Sequence, residues 1–185
     1  MRSAVLDSCV LYSAALRDLF MYLAELYQPK WSEQIHGEWM RNVLANRPDL
    51  SAAQLERTKD LMNRYGRDCL VTRYARFIQD VSLPDPDDRH VVAVAIASKT
   101  PVIVTFNLSD FPAEALRPFG IEAVHPDEFA TRLYDASPDS FVALLRRHRS
   151  ALRNPPKTPD EYLATLRESG LRKTAERLGA HVAEI

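Results

Sequence analysis

The alternation of apolar and polar positions predicts short buried strands separated by amphipathic helices. Apolar runs of strand length occur at four places: 3–7, 69–72, 101–105 and 120–124. Apolar residues at helical spacing predict seven helices: 12–27, 32–45, 51–65, 86–98, 126–134, 138–152 and 159–179. Strands that alternate with helices are typical of an α/β fold with a mostly parallel central sheet. The proline-rich segment NPPKTP (154–159) predicts a linker between the last two helices.

The distribution of charge sets the C-terminal part apart. The 185 residues are 46% hydrophobic with a formal net charge of −1, which is ordinary for one globular domain with room for an appendage. Residues 1–140 contain 15 Lys and Arg against 20 Asp and Glu, whereas residues 141–185 contain 9 against 5. A basic helix within 141–153 either contacts RNA phosphate or docks on its own protein, and the sequence leaves both open.

Cysteine content and hydropathy indicate the compartment. Cys9 and Cys69 are the only cysteines, with neither CxxC nor zinc spacing, so we expect no disulfide framework. The N-terminus lacks a signal-peptide pattern, and no apolar run approaches the roughly 20 residues that span a bilayer. We therefore expect a cytoplasmic protein with no membrane partner.

Three carboxylates, Asp85, Asp87 and Asp88, precede an apolar segment that runs from 91 to 97. Helix capping accounts for part of this pattern, because Asp85 stands before Pro86 at a favourable helix start. The helix dipole also favours negative charge in the first turn. The buried helix is therefore predicted to present acidic residues at its N-terminal end.

Acidic residues also follow two of the predicted strands. Asp7 ends the strand at 3–7, and Asp110 lies in the loop after the strand at 101–105. In parallel sheets both positions lie at the carboxyl edge, where ligands bind, and a helix that begins with Asp88 starts at the same edge. A partly buried carboxylate cluster is unfavourable without a cation, and Mg²⁺ prefers oxygen ligands. The pattern therefore predicts a divalent-cation site.

Four segments occur in an order and at intervals shared with one protein family. They are VLDSCVL (5–11), GEWMRNV (37–43), DDRHVVAVAIAS (87–98) and VTFNLSDFP (104–112). Together they resemble the PIN-domain ribonucleases, specifically the VapC-like toxins of bacterial toxin–antitoxin pairs. The resemblance implies a three-layer α/β/α fold in a nuclease domain over 1–125. It also implies that 126–185 form a helical C-terminal extension, of a kind found in a subset of VapC-like proteins.

The resemblance assigns catalytic and metal-binding roles to four acidic residues: Asp7, Glu38, Asp88 and Asp110. Asp87 adjoins the third of these and is the alternative for its role. Three further residues match the polar positions around the first and fourth acids: Ser8, Thr105 and Asn107. His90 is expected on the helix surface rather than in a metal site.

The implied activity is hydrolysis of RNA phosphodiester bonds by a toxin that uses Mg²⁺ or Mn²⁺. The implied partners are an RNA substrate, a cognate antitoxin protein and a second copy in a homodimer. A catalytically silent PIN-like module that binds RNA or protein is the alternative. A haloacid-dehalogenase-like phosphatase is disfavoured because Cys9 stands where that class needs a second Asp. A receiver domain would need a lysine after a late strand, and VIVTFN has none.

Overall fold

The computed structural model describes residues 2–65 and 68–185. The chain divides into two compact units. The sheet unit comprises the described residues of Met1–Tyr12 and Tyr27–Val124, and the helical unit comprises Ser13–Leu26 and His125–Ile185. The domain boundary between residues 125 and 126 stays a prediction.

Over the described residues, the sheet has four parallel strands in the order β2-β1-β3-β4: β1 Arg2–Leu6, β2 Tyr27–Lys30, β3 Val102–Val104 and β4 Glu122–Val124. Val5 of β1 pairs with Lys30 on one side and with Ile103 on the other. Residues 4–6 and 103–104 are fully buried, which explains why the two central strands read as continuous apolar runs. The predicted α/β class with a parallel sheet and a helical C-terminal part is confirmed.

The described residues form ten α-helices: α1 Ser8–Tyr12, α2 Ala14–Leu23, α3 Glu33–Asn46, α4 Ala52–Tyr65, α5 Arg89–Ser98, α6 Ala113–Leu116, α7 Pro126–Ala136, α8 Pro138–Ala151, α9 Pro159–Glu168 and α10 Arg172–Leu178. Local capping explains several helix starts. The Ser32 hydroxyl accepts a hydrogen bond from the Ile35 N–H at 3.2 Å, and Ser51 and Gln54 form a capping box at the start of α4.

The acidic segment leads directly into the buried helix α5. The Asp85 carboxylate accepts the Asp87 N–H at 2.8 Å, and a 3₁₀ turn over Pro86–Asp88 leads into the helix. Residues 91–95 are fully buried, and α5 packs against β1 and β3. The helix ends at Lys99, whose φ of 54° is left-handed. The acidic segment is therefore fixed to the centre of the sheet unit.

A buried polar network joins α3 to α4. Asn63 Oδ1 accepts the indole N–H of Trp31 at 2.7 Å and lies 3.1 Å from His36 Nε2. The indole N–H of Trp39 donates to His36 Nδ1 at 3.0 Å. His36 must therefore be neutral with its proton on Nε2, and burial lowers its pKa accordingly. Trp31 and Trp39 are fully buried and belong to the core of the sheet unit.

The helical unit contains α2 and α7–α10. The apolar residues of α8 are buried within it, while Arg146 and Arg147 are exposed. The buried Asp127 carboxylate accepts the backbone N–H groups of Lys173 and Thr174 at 2.8 and 2.9 Å and so caps α10. None of the helices in the described ranges is long and apolar enough to cross a bilayer.

Three predicted elements differ from the structure. The predicted helix over 12–27 is wrong, because this segment is divided into the end of α1, the whole of α2 and the start of β2. Residues 69–72 make only an isolated parallel bridge, between Trp31 and Leu70, rather than a strand. The predicted helix over 159–179 breaks into α9 and α10 at Gly170, which has a left-handed φ of 87°.

Candidate active site

The first site residue and its nearest polar neighbour follow two adjacent strands. Asp7 comes directly after β1 and Thr105 directly after β3, and the Asp7 N–H donates to the Val104 carbonyl at 3.1 Å. Asp7 is 3% exposed and Thr105 is fully buried. The parallel pairing of β1 with β3 therefore brings residues 98 positions apart to one point at the carboxyl edge of the sheet.

The Asp7 carboxylate is held by hydrogen bonds on both oxygens. Oδ1 accepts the Ser8 N–H at 2.6 Å. Oδ2 accepts the Thr105 hydroxyl at 2.7 Å and the Cys9 thiol at 3.1 Å. The Thr105 hydroxyl in turn accepts the Asn107 N–H at 3.0 Å. These bonds compensate for the loss of water around a buried carboxylate and fix its orientation.

Asp88 lies within the electrostatic influence of three other carboxylates. Its pKa is raised from 3.8 to about 6, first by burial and then by the negative charges of Asp7, Asp85 and Asp110. The charge of His90 acts in the opposite direction. Of the sequence-predicted acids, Asp7 and Asp110 therefore lie close enough to Asp88 for their charges to raise its pKa.

Glu38 contacts His90, which follows the acidic segment in the first turn of α5. Its Oε1 lies 2.8 Å from Nε2 of His90, which is an ion-pair distance outside hydrogen-bond geometry. His90 is 2% exposed, so its expected place on the helix surface is wrong. An isolated polar residue in an apolar helix gives no sequence signal of its partner, and the Glu38 contact depends on how α3 and α5 pack. Sequence reasoning therefore missed the contact between His90 and Glu38.

The remaining candidates differ in exposure. The Ser8 side chain is half-buried at the start of α1, and Asp110 is half-buried at the end of a 3₁₀ turn over Leu108–Asp110. Asp87 and Asn107 are exposed, whereas Asp88 is half-buried. Of the two adjacent aspartates, Asp88 is therefore the one in the environment shared with Asp7 and Asp110.

The donor set fits a hard divalent cation that keeps several water ligands. Within the described ranges, no group of three or more His, Cys, Asp or Glu side chains is close enough to form a protein-only metal site. Mg²⁺ needs no such group, because one or two carboxylates and several waters suffice. The mutual repulsion that raises the pKa of Asp88 is relieved by a positive ion. One or two direct carboxylate ligands could come from among Asp7, Asp88 and Asp110, with water completing the coordination.

This chain belongs to the PIN-domain family, since the family's sequence profile matches residues 3–109, more than half of the chain. The family is consistent with the three-layer α/β/α fold expected from the sequence. A second profile, that of the VapC50 C-terminal domain, matches residues 126–180. The resemblance inferred from the four motifs is confirmed.

The chain is also similar in sequence to the protein named "Putative ribonuclease VapC50" from Mycobacterium tuberculosis (strain ATCC 25618 / H37Rv). It is 41% identical to this chain over 81 residues, which make up 44% of this chain. The match spans about half of that relative's length, 48%. No solved structure matches the chain.

Proposed function

We propose that this protein is a metal-dependent ribonuclease that hydrolyses RNA phosphodiester bonds and acts as the toxin of a toxin–antitoxin pair. The observation that carries the proposal is that Asp7 lies at the carboxyl edge of the sheet and that its charge, with that of Asp110, raises the pKa of the half-buried Asp88. Membership of the PIN-domain family and similarity to the M. tuberculosis protein named putative ribonuclease VapC50 support the same activity.

In this proposal Asp7, Asp88 and Asp110 hold one or two Mg²⁺ or Mn²⁺ ions, directly or through water. The bound ion would lower the pKa of water and stabilise charge on the phosphate. Thr105 keeps the Asp7 carboxylate in place through its 2.7 Å hydrogen bond. Glu38, held beside His90, orients the attacking water or completes the surroundings of the metal. Secondary roles are assigned to Ser8, Asp87 and Asn107, of which the last two are exposed.

The proposed partners are an RNA substrate and a cognate antitoxin protein, and the proposed location is the cytoplasm, where both RNA and antitoxin are made. A homodimer stays a prediction from the family resemblance. Contact between the exposed arginines of α8 and RNA phosphate also stays a prediction, since the apolar face of that helix is buried within the helical unit.

Cleavage of total cellular RNA tests the proposal. Purified protein is incubated with Mn²⁺ or with EDTA beside the Asp88→Asn variant, and Asp60→Asn serves as the control because Asp60 is exposed on α4. We expect discrete fragments with wild type and Asp60→Asn only when metal is present, and at least a 100-fold loss in Asp88→Asn. Undiminished cleavage by Asp88→Asn would overturn the assignment. A folded wild-type protein that binds Mn²⁺ and RNA without cleaving would favour the silent binding module.

A further inference from the structure

Cys9 lies beside the proposed metal site but has no part in the proposed chemistry so far. Its thiol donates to Asp7 Oδ2 at 3.1 Å, accepts the backbone N–H of Phe106 at 3.4 Å and lies 3.4 Å from the Thr105 hydroxyl. The side chain therefore connects the end of β1 to the segment that follows β3. Two of these three contacts are with the Asp7 carboxylate and with the Thr105 hydroxyl that binds it.

The two carboxylate oxygens of Asp7 accept different numbers of hydrogen bonds. A carboxylate oxygen offers about two lone-pair directions. Oδ2 accepts both the Thr105 hydroxyl and the Cys9 thiol, so its directions are occupied. Oδ1 accepts only the Ser8 N–H among the bonds described and keeps one direction for another partner. The pattern leaves one defined oxygen for a ligand.

We propose that Cys9 is a positioning residue, whose thiol and the Thr105 hydroxyl hold Oδ2 of Asp7 so that Oδ1 is the oxygen that binds the divalent cation. This inference rests on the proposed function, because it concerns the same metal site. In this geometry the Cys9 thiol donates its hydrogen to Oδ2 of Asp7, so its role is that of a hydrogen-bond donor.

Mn²⁺ binding without RNA tests the role of Cys9, measured by titration calorimetry or by the paramagnetic resonance of free Mn²⁺. Removing the hydrogen-bond partner of a metal ligand typically weakens metal binding by 10- to 100-fold. Because a thiol is a weak donor, we expect Cys9→Ala to weaken Mn²⁺ binding by about tenfold. Cys9→Ser restores a donor and should bind within about threefold of wild type. Cys69→Ala is the matched control, since Cys69 is buried in the same unit away from these contacts.

Thermal unfolding of each variant in EDTA separates positioning from a structural role. Unchanged Mn²⁺ affinity in Cys9→Ala would overturn the inference while leaving the proposed function intact. Equal losses of affinity in Cys9→Ala and Cys9→Ser, accompanied by lowered unfolding temperatures, would also overturn it, because they indicate a packing defect. A stable wild-type protein that binds no Mn²⁺ would instead contradict the proposed metal site and, with it, the inference.

Discussion

Replacing Asp88 by asparagine is expected to stabilise the metal-free protein while abolishing its proposed activity. The ionised Asp88 carboxylate faces the negative charges of Asp7, Asp85 and Asp110 in a half-buried environment, which is why its pKa is raised. Asparagine keeps nearly the same shape without the charge. A residue that lowers stability in the absence of its ligand is a signature of a binding site rather than of a structural ion pair.

The magnitude follows from the pKa of Asp88, which is raised from 3.8 to about 6. One pKa unit corresponds to about 1.4 kcal/mol, so the full shift sets an upper limit of about 3 kcal/mol. Because the side chain is half-exposed, solvent screening reduces the expected gain to about 1 kcal/mol. A gain of that size raises the unfolding temperature of a protein of this length by about 2–4 °C.

The size of the stabilisation by Asp88→Asn depends on pH. The folded state keeps its Asp88 proton up to a higher pH than the unfolded state does, so wild-type stability decreases as pH rises from about 4 to about 6. Above that range the cost of ionisation is fully present. The advantage of Asp88→Asn should therefore be largest at pH 7.5 and should fall by more than half at pH 4.5.

Differential scanning calorimetry in EDTA at both pH values measures the effect, with Asp60→Asn as the exposed control. Saturating Mg²⁺ should stabilise wild type and should stabilise Asp88→Asn less, because a ligand that binds only the folded state raises its stability. A variant that is no more stable than wild type at pH 7.5, or whose advantage persists unchanged at pH 4.5, would refute the electrostatic reasoning.

Other predictions concern residues outside the acidic cluster. Burial lowers the pKa of His36 below 6.5, so wild-type stability should fall as pH decreases below about 6.5, and His36→Gln should flatten that dependence in thermal unfolding. Asp127→Ala removes the cap of α10 and should lower the free energy of unfolding by about 2 kcal/mol in urea titrations. Lys99→Gly relieves the strain of the left-handed φ at the end of α5 and should raise the free energy of unfolding by about 0.5–1 kcal/mol.

Each of these predictions has its own contrary result. A pH profile of His36→Gln parallel to that of wild type would show that another group causes the acid sensitivity. The exposed Asp160 in the first turn of α9 is the control for Asp127, and an equal loss in Asp160→Ala would refute the capping account. A Lys99→Gly variant less stable than wild type would mean that the lysine side chain makes a contact that outweighs the backbone strain.

The sequence predicted the parts of the site that depend on local pattern. The apolar run ending at Asp7 and the apolar helix following Asp88 are local signals, and parallel strand order then places both acids at one edge. The convergence of Thr105 on Asp7 follows from the pairing of β1 with β3. What the family resemblance added was Glu38, which no periodicity distinguishes from an exposed helix carboxylate.

The elements that the sequence did not predict depend on distant partners. Strand β2 contains Pro29 and Lys30 and is stabilised by its pairing with β1, which a local pattern does not show. Because the apolar pattern keeps a helical spacing there, the predicted helix extended over residues 24–27, beyond the end of α2. His90 appeared polar and hence exposed, but packing of α5 buries it against Glu38. The break between α9 and α10 depends on the left-handed conformation of one residue, Gly170, which could not be inferred from composition.

The dependence of RNA cleavage on Mn²⁺ concentration tests the central claim most directly when it is measured beside equilibrium Mn²⁺ binding. If the carboxylate cluster is a metal-dependent ribonuclease centre, cleavage and metal occupancy should rise together in wild type. Both curves should shift to higher Mn²⁺ concentration together in Asp110→Asn. Cleavage that continues unchanged in EDTA, or a wild-type protein saturated with Mn²⁺ that leaves RNA intact, would contradict the account.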